Sequence, residues 1–450
     1  MSVAAALVTL TGVSWGYWLL ALALVRRHVG GPPTPSGAAV PPVSILKPVR
    51  GVDPDACAGF ESFFRLDYPA YELVFGVADP ADPVLPLLEA LRAAHPGVPA
   101  RIVVAPAPGP NRKASLLEAL AREARFDVLV ATDADIRVAP AWLREVAAAL
   151  GAPGVGLVTC PYVGAVAGSL PAHLEALHMG VTFLPSAVVA SRSLGVPFAM
   201  GSTMALRRST LDQAGGFAPL AQFLADDYQL GARVAALGQR VVLAREVVAS
   251  ALGRTTFREQ WDRELRWARC TRASRPAGHA GYALTFSLPL ALASLAASGL
   301  EPSGFAAVAG SLAVRWAAAA GIAQATRDRV SLRALILVPL RDLLTATIWA
   351  AGFFGGPVSW RGERYEVDGD GRLRPVAPER AAARIGGRDG RAAGGAAPLP
   401  SRENTPAGAS GTHRPARSGA GWAPVAALGP DPEPAVTQGG ERRFGTGRPF

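Results

Sequence analysis

Two kinds of hydrophobic pattern follow one another along the chain. Residues 3–25 are almost continuously apolar, and Arg26 and Arg27 come directly after them. The run has the ~20 residues that a spanning helix needs, and positive charge after the run indicates a signal-anchor, not a cleaved signal peptide. By the positive-inside rule the chain after it lies in the cytoplasm. We predict a transmembrane anchor at 1–28 and a Gly/Pro-rich linker at 29–42.

From residue 43 to about 150, short apolar runs alternate with segments of helical periodicity. The predicted strands cover 43–46, 71–77, 101–104 and 127–131, and the predicted helices cover 85–94 and 113–125. Alternating strands and helices predict an α/β fold with a mainly parallel sheet, whose ligands bind at the carboxyl ends of the strands.

The apolar pattern returns in the second half of the chain. Residues 165–195 are apolar but interrupted by Pro171 and Pro185, which favours a helix lying in the membrane interface. A polar stretch follows at 196–270, and we predict that it completes a cytosolic domain at 43–275. Region 279–356 then holds two to three predicted transmembrane helices.

Those C-terminal apolar stretches lie near 280–299, 303–325 and 334–355. The third carries Arg341 and Asp342 near its middle, so it is either a kinked span or a re-entrant pair. Residues 366–450 are of low complexity, and we predict that they are disordered.

Composition supports a membrane protein. Half of the 450 residues are hydrophobic and only 18% are charged, although the formal net charge is +10. No basic run is long enough to follow nucleic acid, so we expect no nucleic-acid partner. The chain has no phosphate-binding loop, and its one Gly-x-Ser-x-Gly match lies inside the anchor, which disfavours a hydrolase.

Two acidic pairs follow predicted strands. Asp133 and Asp135 come after the strand at 127–131, where two carboxylates can bind a divalent cation that bridges a diphosphate. Asp79 and Asp82 follow an earlier strand and could converge on the same crevice. The alternative for each pair is a polar turn.

A third acidic pair, Asp226 and Asp227, begins a predicted helix. Asp226 suits helix capping, whereas a second acid beside it has a raised pKa and suits a general base. Lys47 and Lys113 are cations near element ends, and we predict that they bind substrate together with Asp79, Asp82 and Asp226. The alternative for either lysine is an ordinary surface position.

Arg263, Arg266 and Trp267 have the i, i+3, i+4 spacing that places them on one helix face. Two guanidiniums there could bind a diphosphate. The alternative is a cationic face lying on anionic lipid.

The order of these motifs resembles glycosyltransferase family 21, the ceramide glucosyltransferase type, over roughly residues 40–270. The matching stretches are Val43-Ser-Ile-Leu-Lys-Pro-Val-Arg-Gly-Val-Asp53, Phe63-Phe-Arg-Leu-Asp-Tyr-Pro69, Thr132-Asp-Ala-Asp-Ile-Arg-Val138, Leu211-Asp-Gln-Ala-Gly-Gly216, Ala225-Asp-Asp-Tyr228 and Arg263-x-x-Arg-Trp267.

The resemblance implies a GT-A-type nucleotide-sugar fold between membrane segments. It makes Asp82, with Asp79 beside it, the first of three acidic sites. Asp133 is the second, with Asp135 completing a site for Mg²⁺ or Mn²⁺. Asp227 is the third, the base of an inverting transfer.

Two departures from the ceramide enzymes are visible. They read D-S-G where this chain has Asp133-Ala-Asp135, and they carry His-Pro where it has Phe183-Leu-Pro185. Both make the chain more similar to the bacterial, hopanoid-associated branch. That branch implies transfer of N-acetylglucosamine from UDP-GlcNAc to bacteriohopanetetrol, by a multi-pass enzyme of the bacterial inner membrane with a cytoplasmic catalytic domain.

Several alternatives stay open. One is a ceramide glucosyltransferase that uses UDP-glucose, and another is a processive polysaccharide synthase, which normally reads Gln-x-x-Arg-Trp. A transporter or receptor would place more charges inside its spans, and a non-catalytic scaffold would bind no UDP-sugar.

Overall fold

The computed structural model describes residues 2–31, 40–52, 55–360 and 363–376. Within these ranges the strands are β1 (Val43–Pro48), β2 (Tyr71–Val77), β3 (Ala100–Val104), β4 (Val128–Ala131), β5 (Ile136–Arg137), β6 (Val155–Thr159), β7 (Tyr162–Ala167), β8 (Met204–Arg207), β9 (Arg240–Leu243), β10 (Val248–Gly253), β11 (Val358–Trp360), β12 (Glu363–Val367) and β13 (Leu373–Pro375).

The helices in the same ranges are α1 (Val3–Val29), α2 (Ala56–Phe64), α3 (Leu85–Ala94), α4 (Arg112–Glu123), α5 (Trp142–Gly151), α6 (Leu170–His178), α7 (Leu184–Ser193), α8 (Arg208–Gln213), α9 (Asp226–Ala236), α10 (Phe257–Ser274), α11 (Pro276–Gly281), α12 (Ser287–Ala297), α13 (Pro302–Ala325), α14 (Arg329–Arg333) and α15 (Val338–Ala351). A π-helical turn, Met179–Phe183, joins α6 to α7.

A seven-stranded mixed sheet in the order β3-β2-β1-β4-β8-β6-β9 forms the centre of the α/β part. The strands β1 to β4 are parallel to one another, and β8 is antiparallel to both β4 and β6. Every residue of β1, β2 and β4 is buried, which explains their nearly unbroken apolar runs. The predicted α/β class is confirmed.

This topology brings several chain segments to one edge of the sheet. The carboxyl ends of β1, β2 and β4 lie there because these strands are parallel. The amino end of antiparallel β8 lies there too, since Met204 is paired with Ala131, the last residue of β4. Residues just before β8 therefore meet residues just after β4.

Two small sheets flank the large one. One has the order β5-β10-β7, and the other has the order β11-β12-β13. Residue 366, where we placed the start of a disordered tail, falls inside β12, so the described residues up to 376 are β structure. The sequence did not predict these strands, because the alternation of apolar and polar residues that marks a strand is weak in this charged segment. The rest of that tail, and residues 32–39 of the linker, lie outside the described residues.

In the part of the chain that the structure describes, three helices are long and apolar enough to cross a membrane: α1, the combined helix Leu170–Ser193 and α13. Helices 276–285 and 287–297 form a fourth candidate with a bend of 65°. The third C-terminal stretch, which we expected near 334–355, holds the 14-residue α15. That length is short of the ~20 residues that a span needs.

The two prolines at 171 and 185 do not break the helix from 170 to 193. Pro171 lies in the first turn, where its missing N–H costs no intrahelical hydrogen bond, and Pro185 lies two residues after the π-helical turn that ends at Phe183. About three quarters of the most apolar window of this helix is buried inside the protein. An interfacial location for this segment stays a prediction.

Candidate functional site

The peptide of Gly201 joins two of the three predicted acidic sites. Its N–H donates to Oδ2 of Asp227 at 2.9 Å, and its carbonyl accepts from the N–H of Asp133 at 3.0 Å. Gly201 reaches this position because antiparallel β8 begins at the edge where β4 ends. The second and third acids of the sequence pattern are therefore neighbours in space.

Lys113, in the first turn of α4, lies among these acids. Its Nζ is 2.7 Å from Oδ1 of Asp133 and 3.3 Å from Oδ2 of Asp226. Burial by itself lowers the pKa of Lys113, but the charges of Asp133 and Asp226 outweigh it and raise this pKa above its usual value. Lys113 is thus a fixed positive charge inside an acidic pocket and not an ordinary surface lysine.

Asp227 has the properties of a base. Besides the amide of Gly201 it accepts the N–H of Tyr228 at 2.7 Å. Burial, and then the charge of Asp226, raise the pKa of the Asp227 carboxyl to about 6, although Lys113 opposes the shift. A carboxylate with a pKa near neutrality can take a proton at physiological pH.

Asp226 does not cap α9. The helix begins at Asp226, and the capping position belongs to Ala225, whose side chain makes no cap. The Asp226 carboxylate accepts instead from the side-chain amide of Asn111 at 3.2 Å and pairs with Lys113. The capping interpretation was wrong because tertiary partners on α4, distant in sequence, compete for this side chain.

Asp135 lies beside Asp133 on the loop between β4 and β5. Burial, and then the charge of Asp133, raise the pKa of Asp135, and Oγ of Ser250 donates to its Oδ2 at 2.5 Å. Two carboxylates that repel one another suit a cation between them. The described residues contain no cluster of three or more His, Cys, Asp or Glu that could hold a metal. A pair of carboxylates is nevertheless a donor set that fits Mg²⁺ or Mn²⁺, since such ions bind one or two carboxylates together with substrate phosphates.

Lys47, at the end of β1, is almost fully buried. Its Nζ donates to the backbone carbonyl of Asp133 at 2.6 Å and lies 4.0 Å from the ring centroid of Phe63. Burial lowers the pKa of Lys47 to about 7, against the charges of Asp135 and Asp133. Lys47 thus holds the backbone of the loop that carries Asp133 and Asp135.

Asp82 and Asp79 lie at the same edge, after β2. Both carboxylate oxygens of Asp82 accept the N–H of Gly51 at 3.0 Å, and Oδ1 also accepts that of Val84. Gly51 lines a small cavity together with Asp135. Asp79 is exposed and accepts the N–H of Ala81, as in an ordinary turn. The structure thus ties Asp82 to the β1–α2 loop.

The three residues of the Arg-x-x-Arg-Trp motif lie on α10 but have different partners. Arg263 makes a bidentate ion pair with Glu175 of α6, at 2.5 and 2.6 Å. The ring of Trp267 stacks on His178, also in α6, with centroids 6.3 Å apart. Arg266 instead lies 5.7 Å from the ring of Trp360 in β11. We expected all three side chains on one face of α10. In the structure, Arg263 and Trp267 contact α6, whereas Arg266 contacts β11, so the three residues have different surroundings.

Sequence reasoning missed three participants. Glu175 and Gly201 carry no motif, and their roles follow only from which elements pack together. Tyr162 of β7 was also missed. After burial, the charges of Asp227 and Asp133 raise the pKa of its phenol. The centroid of its ring lies 5.5 Å from that of Phe183, in the π-helical turn that follows α6.

The family model for Glycosyl transferase family 21 matches residues 5–373. Ceramide glucosyltransferase 1 of Caenorhabditis elegans is 25% identical over 256 residues, which are 56% of this chain and 54% of that protein. Ceramide glucosyltransferase of Candida albicans is 32% identical over 107 residues, 21% of this chain and 20% of that one. The chain thus spans about half the length of the first of these relatives and less of the second.

Solved structures also resemble the chain. The mannosyltransferase PcManGT from Pyrobaculum calidifontis, in complex with GDP-Man and Mn²⁺, is 23% identical with a TM-score of 0.46, covering 76% of this chain and 98% of that one. Glucosyl-3-phosphoglycerate synthase from Mycobacterium tuberculosis, with Mn²⁺ and UDP-glucose, is 17% identical with a TM-score of 0.34, covering 57% of this chain and 83% of that one.

Proposed function

The chain belongs to glycosyl transferase family 21, and we propose that it transfers a sugar from a UDP-sugar to the hydroxyl of a membrane lipid, on a GT-A-type catalytic domain. The observation that carries this proposal is the acidic pocket at the sheet edge, where Gly201 links Asp133 to Asp227. Apolar helices on both sides of the catalytic domain, and relatives named for ceramide, support a lipid acceptor.

The mechanism we propose is a single inverting displacement. Asp227, held by the amide of Gly201, takes the proton of the attacking hydroxyl as the bond to the anomeric carbon forms and the bond to UDP breaks. Such a base typically contributes roughly 10²–10⁴-fold in rate. Asp133 and Asp135 would hold the Mg²⁺ or Mn²⁺, which supplies positive charge against the diphosphate. Lys113 keeps the acids together at the edge of the sheet.

For the finer identity of the substrates we propose UDP-GlcNAc and a hopanoid such as bacteriohopanetetrol. The support is Asp133-Ala-Asp135 and Phe183-Leu-Pro185, which depart from the ceramide pattern in the same direction. A ceramide acceptor with UDP-glucose is the second candidate, because curated relatives carry that name. We also propose an inner-membrane location with the catalytic domain in the cytoplasm.

The test is to incubate membranes containing the full chain with UDP-GlcNAc or UDP-glucose and with bacteriohopanetetrol or ceramide, and to identify products by mass spectrometry. We expect a monoglycosylated lipid from the wild-type protein and none from Asp227→Asn. The matched control is Asp212→Asn, which changes an exposed aspartate of α8 and should keep wild-type turnover.

Three results would contradict parts of the proposal. Wild-type turnover by Asp227→Asn would exclude Asp227 as the base. A polymer in place of a monoglycosylated lipid would identify a processive synthase. Absence of any product, together with absence of UDP-sugar binding, would exclude the enzyme assignment.

A further inference from the structure

Two adjacent charged residues lie in the first half of the apolar helix α15, and each contacts a different partner. Asp342 makes a bidentate ion pair with Arg315 of α13, at 2.8 and 2.9 Å. Arg341 is fully buried and extends to the opposite side, toward the catalytic domain. Both charged residues of α15 are therefore paired. Asp342 pairs with the apolar helix α13, and Arg341 pairs with α10.

Arg341 is the point where three helices meet. Its Nη1 donates to Oε1 of Glu264 in α10 at 2.8 Å and to the carbonyl of Leu174 in α6 at 3.4 Å. Its Nε donates to Oγ1 of Thr345, one turn further along α15. A planar guanidinium can hold these acceptors at fixed angles, which a lysine ammonium cannot do.

Glu264 lies inside the Arg-x-x-Arg-Trp motif, directly after Arg263. It is buried, and its Oε1 also accepts from Nε2 of Gln260 at 2.8 Å. Burial raises the pKa of Glu264, but the charges of Arg341 and His178 and the hydrogen bonds from Arg341 and Gln260 together outweigh burial, so this pKa lies below its ordinary value and the side chain stays ionised. Glu264 thus connects the motif helix to α15.

The ion pair between Glu264 and Arg341 fixes the rotation of α10 about its own axis. Arg263 and Trp267 contact α6 through Glu175 and His178, and Glu264, on the neighbouring face of α10, contacts Arg341 of α15. With these side chains held, Arg266 is turned toward β11. A small rotation of α10 would displace Arg266 and Trp267 together.

We infer that Glu264 and Arg341 are positioning residues for the transfer reaction, because they hold the motif helix α10 in its working orientation from the apolar helix α15. This inference rests on the proposed function. Neither residue needs to touch the substrate. A displacement of about 1 Å in groups that position a reaction can cost about 100-fold in rate.

The experiment compares two double variants in the full chain, in lipid nanodiscs. Glu264→Met with Arg341→Met removes the connection to α10. Arg315→Met with Asp342→Leu removes an equally buried pair that lies between α13 and α15. Replacing both partners of a buried pair by apolar side chains is often neutral or stabilising, so we expect both doubles to keep Tm near the wild-type value.

The readout is kcat and KM for the UDP-sugar, with the donor and acceptor that give product with the wild-type protein. We expect kcat of the Glu264/Arg341 double to fall about 10- to 100-fold while KM for the donor stays within about threefold. The Arg315/Asp342 double should keep kcat within about twofold of wild type. Wild-type kcat in the first double, or an equal loss in both doubles, overturns the inference.

A third variant decides the question if the Glu264/Arg341 double does not fold. Arg341→Lys keeps the charge but not the planar fork. We expect a folded protein with kcat at least about fivefold lower and an unchanged donor KM, and wild-type kcat would overturn the inference. A wild-type protein that glycosylates no lipid is a different result, because it contradicts the proposed function itself.

Discussion

The backbone N–H of Gly201 donates to Oδ2 of Asp227 at 2.9 Å, although 26 residues separate them in sequence. The same glycine accepts from the backbone of Asp133. Its lack of a side chain is required here. A Cβ at position 201 would lie 2.5 Å from Oδ2 of Asp133 and 2.6 Å from Nζ of Lys113.

Gly201→Ala should therefore inactivate the protein with little effect on folding. The methyl group would push the Asp133 carboxylate and the Lys113 ammonium out of their positions, and we expect turnover to fall at least about 100-fold. The matched control is Gly151→Ala, since nothing lies within 4 Å of a Cβ at that position. Comparable turnover in the two variants would show that the close approach is unimportant.

The activity should depend on the ionisation of Asp227. Its raised pKa of about 6 means that the carboxyl is protonated, and cannot act as a base, below that pH. We expect kcat/KM to fall tenfold per pH unit as pH decreases below about 6, because this ratio reports on the free enzyme. A flat profile down to pH 5 would contradict the assignment of the base.

Lys113→Met should move that acidic limb toward higher pH. The positive charge of Lys113 favours the ionised form of Asp227, so its removal raises the pKa of the carboxyl. Activity at pH 7 should fall and be partly recovered at pH 8 to 9. The comparison is a full pH profile of both proteins, and an unshifted limb would mean that Lys113 acts in another way.

Metal removal should abolish turnover. Chelation with EDTA should stop product formation, and Mn²⁺ or Mg²⁺ should restore it. Asp135→Asn should raise the half-saturating metal concentration, and Ser250→Ala should raise it by a smaller factor of roughly 10, because Ser250 only supports the ligand. Full activity in excess EDTA would exclude a metal-dependent transfer.

Arg263 should contribute more to stability than to binding of the donor. Its guanidinium is held by Glu175 in a bidentate ion pair. Arg263→Lys loses one of these charge-assisted bonds, and we expect the free energy of unfolding to decrease by about 1.5–3 kcal/mol. Thermal unfolding and donor KM, measured together, distinguish the two roles. An unchanged Tm with a strongly raised donor KM would assign Arg263 to the diphosphate.

The sequence by itself determined the elements of the α/β part. Strand 71–77 and helix 85–94 were predicted with the bounds that the structure gives, because an apolar run that lies between Pro69 and an Asp-Pro turn, and a helical periodicity, are local signals. The acids at strand ends could likewise be predicted, since parallel strands share one carboxyl edge. The resemblance added the order of the motifs and so the family.

Only the tertiary structure decided which side chains are partners. Asp226 contacts Asn111 and Lys113 and does not cap its helix. Arg263 pairs with Glu175, which is 88 residues away in sequence. Arg341, which with Asp342 interrupts an apolar run of the sequence, lies buried against Glu264. Hydrogen bonds and ion pairs depend on distances of about 3 Å between atoms, and these distances are set by how helices and strands pack, which local sequence patterns do not specify.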